Sequence, residues 1–260
     1  MKLHSNCGLV KQRGFTLLEM LVVLAILGIV TGAVFSQMNT AQERMSAEQT
    51  KLDDFQQARD FVDQFFRDIN QIGYPNSRII DPSSALWVPP LTTQSAYPFA
   101  SPYINDNRLA VGLVTIDANN ITFEADTNGN GNPESVRYTI NGSGTCPLCL
   151  QRSQVDKANG VTPWAQATNW GTEVNDVLSN PVFKYYDANG NLIGGLPIDM
   201  STAAGAQTIA KIKTIQINLR IQNPTKIDMQ TGQPIESVFE GEVSLNNCSM
   251  AASGQARSCQ

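Results

Sequence analysis

The sequence predicts an α+β fold, a long N-terminal helix packed on an antiparallel β-sheet head, and three observations carry that expectation. Residues 15 to 35 are apolar except for Thr16, Glu19 and Thr31. Apolar residues then recur at helical spacing as far as Ile72, and no proline falls between Phe15 and Pro75. Beyond residue 107 the pattern changes to β-branched alternation, with Asn and Gly at the turns.

The first apolar run spans about 31 Å at helical rise, one hydrocarbon thickness, and reads as a transmembrane helix. Lys11 and Arg13 lie just before it, and the nearest charges after it are the mixed Glu43 and Arg44. The positive-inside rule therefore puts the N-terminus in the cytoplasm and everything after about Gln37 outside. A secretory signal cut near Thr31 and Ala33 is the competing reading, but the run is long and carries a carboxylate. That carboxylate, Glu19, costs on the order of 3 kcal/mol inside a membrane, so it needs a partner and marks function.

Met38, Ala41, Met45, Leu52, Phe55, Val62, Phe66, Ile69 and Ile72 continue the helix as an apolar stripe, with Gly73 and Pro75 as its stop. The simplest reading is one helix of roughly 58 residues, about 87 Å long. A coiled-coil dimer is disfavoured because Glu48 and Arg59 interrupt the heptad seam. A Pro-, Ser- and Tyr-rich stretch to about Asn107 reads as loop. Strands are then expected over 108–117, 120–125, 135–140, 182–186, 209–221 and 235–245, with a hairpin turn at 126–133. Lys213, Ile215, Ile217, Leu219 and Ile221 alternate so as to bury one face against the helix stripe.

Composition excludes several functions. The chain carries 18 basic and 23 acidic residues, a formal charge of −5, with no clustered Lys and Arg for phosphates, so nucleic acid is not an expected partner. Its only histidine is His4, so a head without the N-terminal segment cannot build a Ser/His/Asp triad or an imidazole metal site. Asp126, Asn128, Asn130 and Glu134 space oxygen ligands at alternate positions like half of a calcium loop. The twelfth position is Arg137, where an EF-hand has a bidentate Glu. The run therefore reads first as a hairpin turn using Asn and Gly, with calcium as the second reading. Trp87, Trp164 and Trp170 with Tyr97 and Tyr103 could grip a sugar or a partner, but read first as core beneath long loops.

The run from Lys11 to Leu24, Lys-Gln-Arg-Gly-Phe-Thr-Leu-Leu-Glu-Met-Leu-Val-Val-Leu, resembles the type III signal of type IV prepilins and type II secretion pseudopilins. The resemblance implies cleavage after Gly14 by prepilin peptidase and N-methylation of Phe15, and it makes Glu19 the assembly carboxylate that meets a neighbouring subunit's α-amine. It divides the chain into a leader at 1–14, a filament-core half-helix at 15–37, an amphipathic half-helix at 38–72 and a β-rich head at 73–260. Weaker pieces are similar to PilW-like minor pilins and J-type minor pseudopilins: Arg67-Asp68-Ile69 with Gly73-Tyr74, the hairpin ending Arg137-Tyr138, Val182 to Asp187, and Ile215 to Ile221 with Glu242 to Asn247.

Four cysteines remain beyond the leader. Three pairings are open, and local pairing is expected in an extracytoplasmic head. Cys248 with Cys259 would close a C-terminal loop similar to that of many type IV pilins, and Cys146 with Cys149 would close a short one. A zinc site of all four lacks a second close pair. The resemblance implies a non-enzymatic minor pilin that takes part in initiating pilus assembly, with a type II secretion minor pseudopilin as the alternative. A membrane-anchored periplasmic carbohydrate binder or enzyme is the reading from a different class. Its implied partners are other minor and major pilins, prepilin peptidase and the inner-membrane assembly platform, with no cofactor beyond the calcium reading. Its implied place is the bacterial inner membrane, single-pass with the head extracytoplasmic, and then the pilus or pseudopilus.

Overall fold

The computed structural model describes residues 16–75, 105–141, 143–144, 146, 148–178, 181–227 and 232–245. Its elements in chain order are helix α1 (Leu17–Asn70), strands β1 (Leu113–Ile116), β2 (Asn120–Ala125), β3 (Glu134–Ile140), β4 (Leu150–Asp156), β5 (Trp170–Val174), β6 (Phe183–Asp187) and β7 (Ile198–Asp199), helix α2 (Ala203–Ile209), and strands β8 (Ile212–Ile227) and β9 (Pro234–Ser244). This is the α+β architecture that the sequence predicts: one long apolar N-terminal helix, then antiparallel sheets. The chain divides into two compact units, Met1–Gln49 and Thr50–Gln260. The first holds the beginning of α1. The second holds the rest of α1 and both sheets.

α1 runs without proline and ends in a tightened turn, in which Gln71 and Ile72 donate back to the carbonyls of Asp68 and Ile69. Gly73 then takes a positive φ of 76°, which an L side chain rarely adopts, and donates its N–H to the Glu124 carbonyl. The helix exit is thereby stitched to β2, where Ile72 also bridges to Ala125.

The strands form two sheets. The larger has the order β5-β4-β3-β2-β1-β7 and the smaller β6-β8-β9, every pair antiparallel. The expected hairpin is β2 and β3, in register from Asn120 opposite Thr139 to Ala125 opposite Glu134. Ile215, Ile217, Leu219 and Ile221 are all buried, as their alternation requires. Lys213 is half-buried at the end of that row and donates to the Leu245 carbonyl. Three expectations are corrected. The strand expected over 108–117 is only Leu113–Ile116. Ile209 ends helix α2, whose start is capped by the Thr202 hydroxyl accepting from Gly205 N–H at 3.1 Å. Strands β4 and β5 fall where none was expected, because Leu-Gln-Arg-Ser-Gln-Val-Asp offers little β-branched alternation.

The helix stripe is also corrected. The face of α1 that packs is Ala58, Phe61, Phe65, Asp68 and Ile69, while Val62 and Phe66 lie at its margin and Met38, Met45, Leu52 and Phe55 are exposed. The aromatic partners decide this rotation. Phe61 and Phe65 meet the Tyr138 ring edge-on at 5.6 and 5.5 Å, and Phe65 stacks on Phe183 at 5.5 Å, so one residue reaches both sheets. Trp164 packs half-buried against this core and Trp170 is half-buried in β5, whereas Trp87, Tyr97 and Tyr103 lie outside the described residues.

Two buried charges fix helix and loops to the larger sheet. Asp68 is 2 % exposed; its Oδ2 accepts from the Tyr138 hydroxyl at 2.6 Å and from Arg152 Nε and Nη2 at 2.8 and 2.7 Å, while Gln64 donates to Oδ1 at 2.6 Å. Burial first, and the Asp68 carboxylate second, hold the Tyr138 hydroxyl well above its ordinary pKa, so it remains a donor. Glu124 and Lys157 form a fully buried ion pair at 2.7 Å; Glu124 also accepts from Val111 N–H, and Lys157 donates to the Leu109 carbonyl. Burial pushes the Glu124 carboxyl up, against the pull of Lys157.

Candidate functional site

The start of α1 is built by a capping box that the sequence spells as Thr-x-x-Glu. Glu19 N–H donates to Thr16 Oγ1 at 3.3 Å, while Glu19 Oε2 accepts from Thr16 N–H at 2.9 Å and from its hydroxyl at 3.1 Å. Two of the four orphan N–H groups at the helix start are thereby satisfied within the chain. Glu19 Oε1 has no partner among the described residues, so the carboxylate can cap its own helix and still accept from a second group. Gly14 and Phe15 lie outside the described residues. The Thr16 half of this device was not read from the sequence, although the spacing makes it legible.

From Leu17 to Phe35 every side chain is exposed. This stretch makes α1 the one helix among the described residues that is long and apolar enough to cross a membrane, with a mean hydropathy of 2.5 in its most apolar window and none of that window buried. Leu17, Ile29 and Leu18 are more than 70 % exposed, which no helix in water tolerates in such a run without a covering phase. The motif and this helix together fit membrane anchoring.

In the head, the Asp126 loop satisfies itself. Asp126 Oδ1 accepts from Gly129 and Asn130 N–H at 2.7 and 3.1 Å, and its Oδ2 from Gly131 N–H at 2.8 Å. Asn128 and Asn130 each accept from the N–H two residues on, an Asx geometry. Glu134 accepts from Thr127 N–H and hydroxyl and from the Asn128 amide. Burial raises its pKa, opposed by the Thr127 hydrogen bonds. Gly129 and Gly131, at φ of 74° and 87°, supply the positive φ that the turn needs. Among the described residues no three His, Cys, Asp or Glu side chains gather as a metal site. Chelator is expected to leave the melting temperature unchanged. A site held at 100 times its dissociation constant would contribute about 2.7 kcal/mol, or roughly 5 to 11 °C, and a fall of that size would make Asp126 and Glu134 ligands.

Cys146 and Cys149 are joined by a disulfide that closes a short turn within the connection between β3 and β4. Asn141 N–H donates to the Cys149 carbonyl at the loop base, and Val177 N–H to the Leu148 carbonyl. Cys248 and Cys259 lie outside the described residues.

Residues 9–35 match the family described as the prokaryotic N-terminal methylation motif. Comparison of the whole chain with curated proteins gave no significant match. The matched segment contains Gly14, Phe15, Glu19 and the exposed apolar part of α1 to Phe35, and it marks the chain as type IV pilin-like, of the pilin or pseudopilin kind. It implies processing by prepilin peptidase and assembly with other pilins.

Proposed function

We propose that this chain is a minor pilin that takes part in initiating type IV pilus assembly, anchored in the inner membrane with its head outside until it enters the filament. The observation that carries the proposal is the methylation motif over residues 9–35, set on a helix whose apolar surface is uncovered from Leu17 to Phe35. Prepilin peptidase cuts after Gly14 and methylates the new α-amine of Phe15. Glu19 then takes the α-amine of a neighbouring subunit, because an amine and a carboxylate at low dielectric offset each other's desolvation better than either is solvated alone. Its Oε1, without a partner among the described residues, is the atom available for that contact. A subunit at the extreme tip has no neighbour above it, so the retained carboxylate argues for a place below the tip. Residues 1–14 are the leader, 15–37 the filament-core part of the helix, 38–72 its amphipathic part and 73–260 the head.

Gly14→Ala is expected to leave the chain uncut and at full length in the inner membrane, because the peptidase requires a residue without a side chain at the scissile bond. Normal processing of that variant would remove the leader assignment. The phenotype of a strain lacking the chain separates the two machines. Loss of pili with secretion intact fits the proposal, and loss of secretion with pili intact assigns a pseudopilin.

A further inference from the structure

Among the described residues the two sheets leave four edges, and three of them are short or covered. β7 has 2 residues and β5 has 5, with a register shift against β4 at Leu150/Gln151. The outer edge of β6 is taken by the following chain, where Ile193 N–H donates to the Tyr185 carbonyl at 2.8 Å and Leu192 bridges to Tyr186. β9 differs from all three. It is 11 residues long, about 37 Å when extended, and its register with β8 is unbroken from Glu236 opposite Gln222 to Ser244 opposite Thr214.

Leu245 N–H donates to the Lys213 carbonyl on the β8 side. By strand alternation, Glu236, Val238, Glu240, Glu242 and Ser244 point their N–H and C=O groups away from β8. Those groups make no hydrogen bond among the described residues. Apart from the glutamates of its solvent face, several usual guards of an edge are missing among the described residues. No bulge interrupts β9 between residues 236 and 244, its only proline is Pro234 at the start, and its inward residues Ile235, Ser237, Phe239, Gly241 and Val243 carry no charge.

We infer that the outer edge of β9, unpaired among the described residues, is a docking site for an extended strand from a different protein chain, one that alternates basic and apolar residues. The solvent face of β9 carries Glu236, Glu240 and Glu242; Glu236 is paired with Arg220 on β8, whereas Glu240, which accepts from the Asn218 amide, and Glu242 have no ion pair among the described residues, so cross-strand neighbours beside these two are basic. On the other face, α1 lies close against β9: a Cβ on Gly241 would come within 2.5 Å of the Phe66 ring, and Phe55 meets Phe239 at 4.7 Å. Phe55 remains 51 % exposed there and Leu52, one turn earlier on α1, 61 %. These side chains offer an apolar shelf to the inward residues of an added strand. A second copy of β9 does not fit, because antiparallel self-pairing would bring this row of glutamates against its own copy. The residues that follow, 246–260, contain one basic side chain, Arg257, and lack the alternation.

The test is amide hydrogen exchange by mass spectrometry on the full chain in detergent, with a capped ten-residue peptide of alternating Lys and Val, and a Glu/Val peptide as control. The Lys/Val peptide should slow exchange at Glu236, Val238, Glu240 and Glu242 by about tenfold or more, less at higher salt, and the control should not. Glu240→Pro deletes an edge-facing N–H without touching the β8 ladder and should abolish the protection. The double change Glu240→Lys with Glu242→Lys leaves the backbone intact and should transfer the preference to the Glu/Val peptide. Protection of these amides without peptide, equal protection by both peptides, protection by neither, or self-association through this edge would each overturn the inference.

Discussion

Protein carrying Glu19→Gln is expected to be cleaved, inserted and helical from Thr16 onward, yet to be missing from the assembled complex. Glutamine can still accept the Thr16 N–H, so the capping box survives while the charge that meets a neighbouring α-amine is lost. Glu19→Val removes both. Losing the cap costs about 1 kcal/mol of local helix stability, whereas an amine left unpaired in a low-dielectric interface costs on the order of 3 to 5 kcal/mol. The larger effect is a loss of more than about a hundredfold in a lateral contact, so both variants should fail alike. Thr16→Ala, which loses a capping hydroxyl and keeps the carboxylate, should assemble. Co-purification with tagged partner subunits reads this out, and equal recovery of wild-type and Glu19→Gln protein would remove the ion pair from the mechanism.

Asp68→Ala is expected to give a large stability loss in the head. It leaves the buried Tyr138 hydroxyl and the Arg152 guanidinium, whose side chain is 13 % exposed, without their shared acceptor. Breaking a buried pair from one side costs about 3 to 5 kcal/mol, which for a domain of this size lowers the melting temperature by roughly 6 to 20 °C. Tyr138→Phe removes the hydroxyl's donation to Asp68 and its acceptance from Arg152 Nε, but leaves Arg152 on Asp68, so about 1 to 2 kcal/mol is expected. Thermal unfolding followed by the β-sheet signal separates these. An Asp68→Ala variant that melts with the wild type would show that the aromatic contacts of Phe61 and Phe65 hold the helix unaided.

The elements legible in the sequence are those whose signals are local. The apolar run to Phe35, the β2–β3 hairpin with its Asn and Gly turn, and the alternation from Ile215 to Ile221 each carry their own period, and each is present. The rotation of α1 about its axis was not legible. Phe65 and Phe66 are adjacent and either can lead a helical stripe; the choice of Phe65 is made by Tyr138 and Phe183, distant in sequence. The burial of Asp68 was not legible because its partners, Tyr138 and Arg152, lie on two strands, one of them unforeseen. Lys157 and Glu124 escaped for the same reason. In the candidate site, Glu19 was legible because a carboxylate in an apolar run is anomalous, and Thr16 was overlooked because a threonine beside it is not.

The chain is expected to be processed at Gly14 and to begin at a methylated Phe15. Intact-mass and N-terminal peptide analysis of the protein recovered from membranes tests it most directly. The predicted result is a chain that starts at Phe15 and carries one methyl group on its α-nitrogen, and that reverts to the full-length mass in Gly14→Ala. A chain that retains Met1 in the wild type, or one cut beyond Ala33 so that Glu19 is lost with the leader, would contradict it.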